Sequence, residues 1–403
     1  MDAEAEGRLR GFFDELGTVL GNCKRRASFA MYAMGLLGDG ERKSVEPIAA
    51  RACADPDEVD AVHQRLLHFL VDSNWSDRDV RRTAARYAVG ALTKQEPIVS
   101  WIIDDTGFLK QGKHSVGVQR QYTGSAGKVA NCQCGVSLTL ANTRAHVPVD
   151  FELYLPRSWA DDADRRAEAR IPDDVKFKTK PQLAVDMIAR ALADGLPRGV
   201  VLADSAFGDS SDFREELRCY GMDYAVGIKS PTKVWLNNRP DAHLGKAVSV
   251  ATLARQIDRK QYRRVTWRDG TRRRLSSRFA MRRVITAAND GWDPAEREDV
   301  WLLIEWPENE PEPTGYFLTT MARNATKKQL VRLVKERYRT EQVYEECKGE
   351  LGLDHYEGRR FSGWHHHVSV VLCCYAFIVA ERGRRFPPSA RRTHQADALP
   401  LAA

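Results

Sequence analysis

Apolar and polar positions keep a helical rhythm to about residue 95 and a strand rhythm with interleaved helices from about 98 to 228. A second strand-rich stretch runs from 229 to about 322, and a helical rhythm returns to about 385. In the first region Val62, Leu66, Phe69 and Leu70 recur at helical spacing, as do Val80, Ala84, Tyr87 and Ala88. Each set makes one apolar stripe. The second region predicts strands over 98–106, 133–141 and 147–155. A helix follows, with Leu183, Met187, Ile188, Ala191 and Leu192 on one side and Gly195 as its stop. Next come a strand over 200–204, a short helix over 213–219 and a strand within 223–229.

The third region contains Asp269-Gly270, a two-residue hairpin signal. Arginines crowd both predicted arms at 263, 264, 268, 272, 273, 274, 278, 282 and 283, and further strands are expected over 300–306 and 316–321. In the fourth region Thr326 is a suitable N-cap for one long helix reaching Leu351, and a second, strongly apolar helix is expected over 363–385. The tail from Phe386, with Pro387 and Pro388, predicts disorder.

Composition narrows the classes. A chain of 403 residues with 43% hydrophobic content has material for two or three domains with real cores. The apolar run near residue 370 is shorter than the roughly 20 residues of a membrane span and reads as a buried helix. The acidic start, Met1 to Arg10, lacks the pattern of a signal peptide, so a soluble cytoplasmic protein without membrane partners is expected. Eight cysteines without a CxxC pair predict buried free thiols rather than zinc ligands or disulfides. A net charge of +7 is compatible with a polyanionic partner without requiring one. His365, His366 and His367 point about 100° apart on a helix and cannot jointly grip one ion; packing and phosphate contacts are expected of them.

Candidate chemistry lies at strand ends. The apolar run Trp101–Ile103 stops at Asp104 and Asp105, and Val200–Ala203 stops at Asp204. Carboxylates there are held by a rigid sheet yet open to ligand. On neighbouring strands they would repel one another unless a divalent cation lay between them. Strand alternation puts Asp104 and Asp105 on opposite faces, so only one belongs in such a site. The competing reading is that strand-end aspartates form turns or cap helices. A third carboxylate is offered by the long helix, where Arg337, Glu341, Glu345 and Lys348 would share one face. The competing reading there is a row of exposed ion pairs.

The order strand-Asp, strand-Asp, helix-Glu resembles the DDE transposases of bacterial insertion sequences. In their cut-and-paste group the Glu helix carries Tyr, two residues, Arg, three residues, Glu, six residues, Lys. Arg337, Glu341 and Lys348 match that spacing; the Tyr position holds Val334, with Tyr338 one turn later. The stretches 101–118, 201–209, 350–367 and Gly40–Ser44 are similar to family phrases in the same order, so the resemblance covers most of residues 30–380.

The resemblance implies an α/β fold: a ribonuclease-H-like mixed sheet with helices, a β-rich insertion before the Glu helix, and an all-α N-terminal domain. The implied divisions are 1–95 (helical, with possible DNA binding), 96–228 and 323–385 (catalytic), 229–322 (basic β-rich insertion) and 386–403 (tail). Asp104, Asp204 and Glu341 then correspond to the catalytic metal ligands, with Asp105 and Glu345 as alternatives. Two Mg²⁺ ions are implied, with Mn²⁺ as a substitute. The implied partner is double-stranded DNA, both transposon ends and target, bound by a homodimer. Arg337 and Lys348, the basic residues Lys110, Lys113 and Arg120, and the hairpin residues Arg268, Arg272 and Arg273 are expected on DNA phosphates. The reaction would be Mg²⁺-dependent cleavage at transposon ends followed by strand transfer into target. The alternatives are a catalytically silent DNA-binding derivative and a stand-alone nuclease.

Overall fold

The computed structural model describes residues 2–236, 246–269, 274–287 and 299–385. The expected disordered tail, Arg272, Arg273 and the glycine of the Asp269-Gly270 turn lie outside the described residues. The described residues form a mixed α/β protein of helices and a mixed sheet, and they group into two compact units.

The first unit comprises residues up to 98, 104–197 and the described residues from 339 onward. It begins with α1 (Ala3–Leu20), α2 (Cys23–Leu37), α3 (Val45–Ala52), α4 (Val59–Val71) and α5 (Asp77–Thr93). Their starts are written in the sequence. Asp2, Asn22 and Ser76 each accept a first-turn backbone N–H, and α5 adds Asp77 and Asp79 where the helix dipole favours negative charge. The strand β1 (Ser100–Leu109) enters this unit at Asp104. It is followed by β2 (Gln119–Thr123), β3 (Lys128–Ala141) and β4 (His146–Tyr154), with β3 antiparallel to both β2 and β4.

Two short helices, α6 (Arg157–Ala160) and α7 (Ala163–Ala169), lead to α8 (Lys180–Ala193). Helix α8 starts on a reciprocal capping box between Thr179 and Gln182. It stops where Gly195 takes φ +73, a conformation open to glycine, and the Leu196 N–H returns to the Ala191 carbonyl.

The second unit comprises residues 99–103 and the described residues of 198–338. The first part of β1 pairs in parallel with β5 (Val200–Ala203), in the register Ser100↔Val200, Trp101↔Val201 and Ile102↔Leu202. After β5 come α9 (Ser205–Gly208), α10 (Ser211–Cys219) and β6 (Tyr224–Gly227), the last parallel to β5. Then follow β7 (Lys233–Leu236), β8 (Val248–Ser249), α11 (Val250–Gln256), β9 (Arg263–Asp269), β10 (Arg274–Thr286), β11 (Asp299–Trp306) and β12 (Gly315–Thr319). Strands β9 to β12 pair antiparallel in succession, and β12 returns antiparallel to β6. Helix α12 (Lys327–Lys335) starts on a second capping box, Thr326 with Gln329.

The long helix expected from Thr326 to Leu351 is two helices. After α12 the chain turns at Glu336 and Arg337, and α13 (Tyr338–Leu351) begins anew. Arg337 therefore sits in the turn and does not share a helix face with Glu341 and Lys348.

The first unit's core is built on α14 (Phe361–Arg385), which packs on α5, β4, α2 and α4. By length and composition α14 could cross a membrane, yet 94% of its most apolar window is buried. It is the buried helix expected from sequence, apolar all round because it is surrounded. Each fully buried large side chain on it, Trp364 and Tyr375 among them, contributes about 1.5–3 kcal/mol of hydrophobic stabilisation.

Candidate active site

Each candidate carboxylate has a distinct local setting. Asp104 lies on β1, 8% exposed, and its Oδ1 accepts the N–H of Asp105 at 2.9 Å. Asp105, on the opposite face, is held by Lys180 of α8, whose Nζ donates to Oδ2 at 2.9 Å. Burial works against the Lys180 charge, but Cys134 and Asp105 beside it raise its pKa above the ordinary lysine value. Asp105 is thus paired with a lysine, and Asp104 lies on the other face of the strand.

Asp204 follows β5 in extended conformation and N-caps α9, its Oδ1 accepting the Ala206 N–H at 2.8 Å. The capping reading is therefore realised, and a cap does not preclude a second role for the carboxylate. Asp204 also lines a cavity of about 200 Å³ in the second unit, together with Gly227, Gly315, Tyr316, Val334 and Arg337. Gly208, three residues past Ser205, was given no role from sequence. A Cβ there would overlap the Gly227 carbonyl oxygen, so only glycine lets α9 close onto β6 beside Asp204. Its signal was the glycine in Ala203–Asp209, four residues after the carboxylate.

Glu341 lies in the first turn of α13 on an exposed position, as does Glu345 one turn later. Glu346, by contrast, accepts from the Tyr375 hydroxyl at 3.0 Å and pairs with Arg382 at 2.8 Å. Helix α13 is fastened to β1 and β3 within the first unit. Lys348 Nζ donates to Thr106 Oγ1 at 2.9 Å and to the Gly107 carbonyl at 2.8 Å. The Tyr344 and Ser137 hydroxyls bond at 2.6 Å. Burial first, and the Asp104 charge second, push the Tyr344 hydroxyl well above its usual pKa, so Tyr344 stands protonated near Asp104. Tyr344 was not singled out from sequence, where it reads as one more apolar position of a helix.

The expected phosphate contacts divide. Lys113 and Arg120 are exposed. Lys110 is half-buried: its Nζ donates to the Tyr356 carbonyl at 2.5 Å, and burial lowers its pKa. Lys348 is likewise engaged, and burial lowers its pKa too. Arg268 is exposed on β9 and lays its guanidinium 3.9 Å from the centre of the Tyr338 ring. Val334, at the position of the family's tyrosine, is an apolar wall of the Asp204 cavity.

The three histidines do pack, but they are buried and out of reach of phosphate. His366 binds the Leu70 and Trp75 carbonyls, and His367 lies between the Tyr32 hydroxyl and the Gly352 carbonyl. All eight cysteines are free thiols and five are buried; Cys23 and Cys219 are exposed. Among the described residues no three His, Cys, Asp or Glu side chains form a ready metal cluster.

Comparison with known proteins decides the family. The model of the DDE superfamily endonucleases matches residues 15–274, more than half the chain. The chain belongs to this family. A second model, the transposase DDE domain, matches residues 180–377. The first match contains Asp104 and Asp204, and the second contains Asp204 and Glu341. The chain is also 28% identical over 337 residues to the "Probable transposase for insertion sequence element IS701" of Microchaete diplosiphon, covering 82% of this chain and 77% of that one. This member of the DDE family is an enzyme of the transposase type that acts on DNA.

Proposed function

We propose that the chain cleaves DNA at the ends of an insertion element and joins the freed ends into target DNA, with Asp104, Asp204 and Glu341 as the ligands of divalent cations. The observation that carries this reading is the register of the parallel pair. Ile102 faces Leu202, and Asp104 and Asp204 each follow two residues later in extended backbone. Side chains two apart in a strand project to the same face.

The donor chemistry fits the group. Three carboxylates offer the hard oxygens that Mg²⁺ prefers, and Mg²⁺ ordinarily completes its shell with water and substrate phosphate oxygens. Among the described residues no cluster of three such side chains is preassembled, so the three carboxylates would have to converge when the ions and DNA bind. When bound, Mg²⁺ or Mn²⁺, as a pair of ions, would stabilise charge on the attacking and leaving oxygens of an in-line displacement at phosphorus.

The chain's own residues do the positioning. Lys348, tied to Thr106 and Gly107, keeps α13 against the Asp104 strand. Arg337 lines the Asp204 cavity and offers a planar fork to a phosphate near the scissile bond. Arg268 and the other exposed arginines of β9 and β10 extend the contact along the DNA backbone. In this reading residues 1–95 are a helical DNA-binding domain and 229–322 a basic insertion between the two parts, 96–228 and 323–385, of a ribonuclease-H-like catalytic domain. A homodimer brings two DNA ends together.

The test uses a plasmid carrying the element's terminal sequence, a second target plasmid and Mg²⁺. The wild type should give nicked donor and joined product, and Asp204→Asn neither, while still retaining DNA. Cleavage without joining would make the protein a nuclease, retention without cleavage a silent DNA binder, and unimpaired nicking by Asp204→Asn would remove that residue from the site.

A further inference from the structure

The hairpin of β2 and β3 holds side chains that the proposed chemistry does not use. The two strands pair from Gln119↔Cys132 to Thr123↔Lys128. Opposed and alternate residues of an antiparallel pair share a face, so Arg120, Tyr122, Val129 and Asn131 line one side. Tyr122 is 67% exposed and Val129, directly opposite, 53%. Among the described residues these are two of the most exposed large hydrophobic side chains, and they stand side by side on one face.

The hairpin is anchored rather than loose. Asn131 Nδ2 donates to the Lys110 and Gly112 carbonyls at 2.8 and 2.9 Å. At the turn, Thr123 Oγ1 and Ser125 Oγ bond at 2.9 Å, and Ser125 donates to the Gly107 carbonyl at 3.2 Å. The exposed aromatic ring is therefore presented by a fixed backbone.

Charge identifies the occupant. From Thr106 to Val149 the chain carries Lys110, Lys113, Arg120, Lys128 and Arg144 and no Asp or Glu, in a sequence with 55 acidic residues. Arg120 and Lys128, on opposite faces of the ribbon, are both exposed. A surface with cations on both faces, an apolar pair between them and no carboxylate in its own segment matches a polyanion that also presents apolar groups. A two-stranded ribbon is the width that a DNA major groove admits.

We propose that the β2–β3 hairpin enters the major groove of duplex DNA, with Tyr122 and Val129 against base edges and Arg120 and Lys128 on the flanking phosphates. This rests on the proposed cutting and joining of DNA and names one of its contacts.

The test places a photo-crosslinker in the full-length chain as Tyr122→p-benzoylphenylalanine, with Met34→p-benzoylphenylalanine, also at an exposed position, as control. Each is irradiated with a duplex carrying the element end and, separately, with a mixed-sequence duplex. Crosslinking of position 122, and not 34, to DNA is expected; the end duplex alone marks an end-reading contact, and both duplexes mark a contact shared with target. Crosslinking to a second copy, or none while the duplex is retained, overturns the hairpin contact and leaves the proposed function standing. Failure of the wild type to retain either duplex overturns both. In parallel, Tyr122→Ala should weaken duplex binding about tenfold at constant salt slope, the worth of burying its ring against base edges. The double variant Arg120→Ala/Lys128→Ala should reduce the log–log salt slope by about 2. A slope unchanged in the double variant would remove the phosphate contacts.

Discussion

Two groups of carboxylates in this protein are answered in different ways. On β4, Asp150 and Glu152 are met by full positive charges. Arg81, 3% exposed, donates to Asp150 at 3.0 Å and to Asp77 at 2.5 Å, and Arg190 donates to Asp150 at 2.7 Å and to Glu152 at 2.8 Å. His365 stands 3.3 Å from Glu152. At the end of β5, Asp204 is met by the N–H of Ala206, a dipole of its own helix. A carboxylate bound to guanidinium groups in the interior is part of the scaffold. The proposed site gives Asp204, answered by a capping N–H, the role of a ligand instead. The contrast sets a carboxylate of the scaffold against one proposed for chemistry, and it can be attacked from either side.

The largest stability effect is expected on the scaffold side. Arg81→Ala leaves Asp77, Asp150 and Glu152 without their shared cation, and breaking a buried network of this kind costs about 3–5 kcal/mol. Denaturant midpoints compared at constant slope would read it. A loss under about 1 kcal/mol would mean that Arg190 and His365 suffice.

Acid should find the same network. Burial alone would raise Glu152, but His365, Arg81 and Arg190 outweigh it and hold the carboxyl below the usual range. With the folded pKa depressed, its contribution is present above the unfolded value of about 4.3 and fades as pH falls below that. His367 acts earlier. Burial pushes it down to about 4, and the Tyr32 hydroxyl bonds its Nδ1 at 2.8 Å. Between about pH 6.5 and 4 the unfolded chain takes up a proton that folded His367 refuses, so stability declines on acidification through that window. His367→Gln should flatten the slope of melting temperature against pH between 7 and 5; an unaltered slope would assign it to other groups, His146 first.

On the chemical side, Asp204→Asn should lower Mg²⁺-dependent nicking at least about 100-fold, or ~2.7 kcal/mol in barrier. Its melting temperature should stay nearly constant, since Asn caps a helix about as well as Asp. Nicking and stability lost together would return Asp204 to the scaffold class.

Asp204 was legible because an apolar run that stops at a carboxylate is a local signal, and β5 does end there; β1 instead continues past Asp104 and Asp105 to Leu109, so the expected strand end is mid-strand. The N-cap at Thr326 was equally local; the capping box at Thr179, as local, was not singled out from sequence. Strand β2 was not legible: Gln119 to Thr123 holds one aromatic residue among polar ones and buries little. The break at Glu336–Arg337 was invisible because both residues are good helix formers. The partners of Asp105 and Asp150 come from α8 and α5, far away in sequence, so no spacing rule could name them.

The smallest expected effect is the one that sharpens the line between neighbours. Lys180→Met removes the cation from Asp105 and leaves Asp104 in place. The Lys180 and Asp105 side chains are 24% and 23% exposed, so solvent screens what is lost, and about 1 kcal/mol of stability should go. If Asp105 belongs to the scaffold, the Mg²⁺ concentration that half-saturates nicking stays where it was. If Asp105 is instead the ligand on β1, freeing it from Lys180 removes a competitor for its oxygens, and half-saturation moves to lower Mg²⁺. The direction of that one midpoint therefore assigns the role within the Asp104–Asp105 pair, and it does so in an enzyme that still folds and still carries both carboxylates.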